Sequence, residues 1–73
     1  MKVMLNSIEK VKRFVKIAGS FEEQIDLHSG RYVIDAKSIM GIFSLDLSKP
    51  IELSVHSDEA EGIEKAFTEF AAE

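Results

Sequence analysis

Asp35-Ala36-Lys37-Ser38-Ile39-Met40-Gly41-Ile42-Phe43-Ser44-Leu45 is the stretch on which the fold turns, because a strand ends in it and a short helix begins. Ser38 suits a helix cap: its hydroxyl accepts a backbone N–H of the first turn, and the helix is expected to run to about Leu45. Ile39, Met40, Ile42, Phe43 and Leu45 are too many apolar residues for one face of so short a helix, so part of the set is expected in solvent. Exposed Met and Phe give protein docking patches their contact area. The alternative buries Met40 and Phe43, the latter beneath the sheet edge.

Outward from this stretch the hydrophobic period switches between strand and helix with short connections. Upstream, Ile25 and Leu27 alternate with Asp26 and His28, and Ser29-Gly30 turns the chain into Tyr32-Val33-Ile34-Asp35, a β-hairpin. Met1 to Leu5 makes a short first strand. Asn6 or Ser7 caps the helix that follows, with Glu9 three places after Asn6, and Ile8, Val11, Phe14, Val15 and Ala18 form its apolar stripe up to Gly19. Downstream, Lys49-Pro50 restarts an extended chain. Ile51, Leu53 and Val55 then alternate with Glu52, Ser54 and His56. Asp58 and Glu61 read as a capping pair for a final helix with Ile63, Ala66, Phe67, Phe70 and Ala71 on its inner face. The order βαββαβα predicts an α+β open-faced β-sandwich, an antiparallel sheet covered on one face by two long helices. Ile25, Leu27, Ile51, Leu53, Val55, Phe67 and Phe70 are its expected core.

The segment Lys37-Ser38-Ile39-Met40-Gly41, together with Phe14-Val15-Lys16 in the first helix, resembles HPr, the small phosphocarrier of the bacterial sugar phosphotransferase system. The resemblance runs without a gap from the first helix to the C-terminus. It implies a four-stranded sheet of order 1-4-2-3, which periodicity does not supply. It also implies that Ser38 is the serine phosphorylated by a regulatory kinase. Counting back from Phe14, Ser7 falls where the family keeps its phosphorylated histidine, Glu9 where it keeps an arginine and Lys10 where it keeps a proline. A serine hydroxyl is a poor phosphate acceptor without an activating base or metal, and Glu9 fills the first turn with negative charge. No catalytic residue is therefore expected.

Composition narrows the partners. A chain of 73 residues without cysteine is expected to be one domain, residues 1–73, held by packing alone and burying ~60% of its unfolded surface. Nine basic against thirteen acidic residues, a net charge of −4, disfavour nucleic acid. The apolar runs are short and broken by charge, which predicts a cytoplasmic protein without membrane spans. His28 is expected as an exposed hairpin residue ~10 Å to the side of Ser7, and His56 as solvated on the open side of the sheet. Two isolated histidines make no zinc site, and no cofactor is expected.

These readings converge on an HPr-like regulatory, protein-binding module acting through the Ser38 helix, with Lys37, Ile39, Met40 and Phe43 meeting the partner and Lys37 pairing with a phosphate on Ser38. It would be similar to HPr paralogues that lack the histidine and act through phosphoserine on a transcriptional regulator. The implied partners are an HPr kinase and such a regulator or a phosphotransferase enzyme. Two alternatives stay open: residual phosphotransfer through His28 or Ser7, and a small ligand-binding or oligomerising module. Oligomeric state is not legible.

Overall fold

The structure, a computed structural model, describes residues 1–72. Its strands are β1 (Lys2–Val3), β2 (Gln24–Ser29), β3 (Tyr32–Asp35) and β4 (Ile51–His56), in the order β1-β4-β2-β3 with every pairing antiparallel. The helices are α1 (Ile8–Gly19), α2 (Ile39–Phe43) and α3 (Ala60–Glu64), the last continuing as a 3-10 helix over Lys65–Phe70. This is the open-faced α+β sandwich expected from the alternation.

Register explains the layering. Ile25↔Val55 and Leu27↔Leu53 lie opposite one another across β2 and β4, so their side chains share the helix-covered face. Asp26, His28, Glu52, Ser54 and His56 take the other face. The β2–β3 hairpin closes with Ser29 opposite Tyr32, and Gly30 supplies the positive φ, +60°, at the first turn position. The core joins Val3, Leu5, Val11, Phe14, Ala18, Ile25, Leu27, Ile42, Ile51, Leu53, Ile63, Phe67 and Phe70.

Several local expectations are corrected. The C-terminal segment is one turn of α-helix followed by 3-10, not a second long helix. Residues three apart eclipse in a 3-10 helix, which stacks Phe67 and Phe70 in line toward Phe14, at ring centroids 4.9 and 5.4 Å away. Ala66 and Ala71 turn outward in consequence. Asp58 and Glu61 form no capping pair; the Ser57 hydroxyl accepts the Glu59 N–H at 3.0 Å instead. β1 is confined to Lys2–Val3, because Met4 N–H leaves the sheet to bond Phe70 O at 2.8 Å. Val55 is only half-buried at the margin of the core, and Ile8 is 63% exposed, since it precedes the first turn that reaches the sheet.

Candidate functional site

The site is built where β3 gives way to α2. Asp35 ends the strand by turning on itself: its Oδ1 accepts the Lys37 N–H at 2.9 Å and its carbonyl accepts the Ser38 N–H at 3.0 Å. Ser38 is then extended, with φ −98° and ψ 102°, and its Oγ accepts the Gly41 N–H at 3.1 Å. That is the capping geometry expected from the sequence. Gly41 is required by close approach, because a Cβ there would lie 2.6 Å from Ile34 Cγ2 and 3.1 Å from Ser38 Oγ.

α2 stops at Phe43, short of Leu45, because Ser44 Oγ donates to Gly41 O at 2.6 Å and Leu45 N–H bonds Ile42 O at 3.0 Å, tightening the last turn. Five helical residues bury one of the apolar set completely. Ile42 is in the core, Ile39 and Leu45 are half-buried, Phe43 is 42% exposed and Met40 79% exposed. Burial of Met40 in the core is thereby corrected. Lys37 is also placed otherwise than expected: its Nζ donates to Phe21 O at 2.7 Å, fastening the α1–β2 loop to the start of α2.

At the start of α1, Ser7 rather than Asn6 is the cap. Its Oγ accepts the Lys10 N–H at 3.2 Å, while Asn6 Oδ1 holds Lys10 Nζ at 3.1 Å, so the Asn6–Glu9 box does not form. Glu9 stands exposed in the first turn and offsets the helix dipole. The first turn of α2 contains no acidic residue, leaving Asp35 as the nearby carboxylate in sequence.

His28 differs from expectation, and His56 is exposed on the open side as expected. His28 is half-buried between Val33 and Glu52, and its Nε2 is shut from water with no hydrogen-bond partner among the described residues. His56 keeps about half its surface in solvent, yet its Nε2 lies 2.8 Å from Oδ2 of the buried Asp26. Asp26 was not singled out by sequence reasoning. The signal would have been the β2–β4 register, which sets Gln24 opposite His56 and Asp26 diagonal to it. Among the described residues no cluster of His, Asp or Glu could hold a metal ion, and no helix is long and apolar enough to cross a membrane. A groove of about 430 Å³ runs between the hairpin turn and the end of α2, past Arg31, Tyr32, Asp46 and Lys49. There the Ser48 hydroxyl, then its backbone N–H and the Lys49 charge, hold the Asp46 carboxyl below its usual range.

Residues 9–73 match the family described as the phosphotransferase-system HPr component phosphorylation site. The chain belongs to the HPr family. No curated protein matches it. HPr-C-His from Thermoanaerobacter tengcongensis superposes with a TM-score of 0.79 at 30% identity, covering 94% of this chain and 83% of that one. Crh of Bacillus subtilis, described as a catabolite repression protein and a swapped, intertwined dimer, gives 0.67 at 27% identity over 93% and 80% of the two chains. The phosphocarrier HPr of Bacillus anthracis gives 0.77 at 23% over 97% and 94%, a likeness of fold. HPr proteins are phosphocarriers and not enzymes, and the strand order 1-4-2-3 implied by the resemblance is the one found.

Proposed function

We propose that this HPr-family chain is a regulatory, protein-binding module in which Ser38 is a phosphorylation switch on the α2 docking surface. On this reading Ser7, Glu9 and Lys10 stand where the family keeps its histidine, arginine and proline, and phosphohistidine chemistry is lost. The observation that carries it is the exposed Ser38 at the start of a helix whose second residue, Met40, is 79% exposed. A phosphate on Ser38 adds about −1.5 to −2 charges and strong acceptor oxygens beside that apolar surface. An arginine-bearing partner then gains an ion pair and a seat for Met40 and Phe43. Asp35 opposes the phosphate locally, and the partner's cation offsets both. Lys37 acts by holding Phe21 and not by touching the phosphate. The likeness to Crh, named for catabolite repression, supports a regulatory partner over a phosphotransferase enzyme.

Titration of the isotope-labelled protein with HPr kinase is expected to perturb the amides of Lys37 through Phe43. Met40→Ala, with folding retained, is expected to weaken binding about tenfold, as truncation of an interface anchor does. Perturbation confined to β2 and β4, with Met40→Ala neutral, would remove α2 as the docking element.

A further inference from the structure

The two margins of the sheet are unlike. Beyond β1 lies the C-terminal segment, bridging Val3 to Ala71 and donating Ala72 N–H to Lys2 O at 3.0 Å. Beyond β3 there is no further strand among the described residues. β3 also carries two large apolar side chains in solvent, Tyr32 at 63% and Val33 at 58% exposed. A straight edge of this kind, without proline, lysine or bulge, is a template for another strand.

The backbone pattern says which groups that edge offers. In an antiparallel ladder hydrogen-bonded and non-hydrogen-bonded pairs alternate, and the hairpin begins with Ser29↔Tyr32 as a bonded pair. Ala36 N–H donates to Ile25 O at 2.9 Å, in step with that alternation. Tyr32, Ile34 and Ala36 therefore spend their backbone groups on β2, and Val33 and Asp35 aim theirs outward. The Asp35 carbonyl already accepts from Ser38, whereas Val33 N–H and C=O take no backbone partner among the described residues.

We propose that β3 is a self-association edge, pairing antiparallel with β3 of a second copy of this chain about a two-fold axis through Val33. An axis normal to the sheet keeps the helices of both copies on one side, and it requires residues that point to the same face to meet. Centred on Val33, the pairing sets Val33 against Val33, Tyr32 against Ile34, and Arg31 against Asp35, the last pair occurring twice. Val33 N–H and C=O then bond their own counterparts. Centring on Ile34 would oppose Arg31 to Lys37, and centring on Tyr32 would leave both Arg31 and Asp35 without opposite charges. Arg31 is available for this role, since it makes no hydrogen bond or ion pair among the described residues. The net charge of −4 on each copy is largely screened over distances beyond ~8 Å at physiological salt. Four-residue strands bury little area, so the dimer is weak and reversible, with a dissociation constant on the order of 0.1–1 mM.

Sedimentation equilibrium and amide shifts of the full chain, followed from micromolar to millimolar concentration, test the proposal. Concentration-dependent shifts are expected at Tyr32, Val33 and Asp35. Val33→Lys, which places a charge against its own copy, is expected to abolish them. Arg31→Asp and Asp35→Arg each create two like-charge contacts and are expected to weaken association at least tenfold. An equimolar mixture of these two variants is expected to associate again, because each then meets its opposite. Circular dichroism verifies folding, and Arg31→Asp breaks no hydrogen bond or ion pair among the described residues. A chain monomeric at millimolar concentration would overturn the proposal. So would association indifferent to Val33→Lys, shifts confined to Ile8, Met40 and Phe43, or a mixture no better than either variant alone.

Discussion

Phe67→Ala is expected to destabilise the protein by about 3–5 kcal/mol, the range for emptying a fully buried phenylalanine site. The ring is completely buried and lies 4.9 Å from the Phe14 ring and 6.2 Å from that of Phe21. Those contacts join the C-terminal 3-10 helix to α1 and to the α1–β2 loop. A chain of 73 residues has roughly 4–11 kcal/mol of total stability, so this single loss removes about a quarter of it or more. With no disulfide to limit the unfolded state, nothing else compensates. Thermal denaturation followed by circular dichroism is expected to show a melting point lower by about 12 °C or more. Met40→Ala, on a side chain 79% exposed, is expected to stay within about 0.5 kcal/mol of wild type. Equal effects of the two substitutions would contradict the placement of the core.

Phosphate transfer from phosphoenolpyruvate through the general phosphotransferase enzyme is expected to be absent. The start of α1 has backbone N–H groups that favour an anion, but Ser7 Oγ accepts the Lys10 N–H there and has no imidazole neighbour in sequence to take its proton. Glu9 adds a negative charge in the first turn, which disfavours a phosphate there. Nε2 of His28 offers no substitute, because it is shut from water within the sheet face. Acid-labile label after incubation with labelled phosphoenolpyruvate and that enzyme, lost on His28→Ala, would contradict this account.

Particular residues mark how far the fold was legible. Ile51, Leu53 and Val55 alternate strictly, and that alone identified β4; Val11, Phe14 and Ala18 at helical spacing identified the inner face of α1. The cap at Ser38 was legible because capping is local chemistry: the hydroxyl and the N–H it accepts are three residues apart. Between Asn6 and Ser7 the sequence offered two caps, and the decision came from Lys10, which bonds both. The 3-10 helix was not legible, because Phe67 and Phe70 fit an α-helical stripe as well; only the position of Phe14 demands the tighter turn. The burial of His28 and the contact of His56 with Asp26 depend on register between strands far apart in the chain, which alternation within one strand does not set. At the candidate site, counting apolar residues against helix length showed that part of the set must be exposed, but not that Met40 is the most exposed of it. The Lys37–Phe21 bond did not, since it joins elements sixteen residues apart.

The central claim is that regulation at Ser38, and not phosphohistidine transfer, is the chemistry of this chain. Incubation with HPr kinase and ATP, followed by peptide mapping of the phosphate by mass spectrometry, tests it most directly. The account predicts one phosphorylated residue, Ser38, and complete loss of labelling in Ser38→Ala while the fold is retained. A folded protein that takes no phosphate, or one labelled elsewhere and equally in Ser38→Ala, would contradict it.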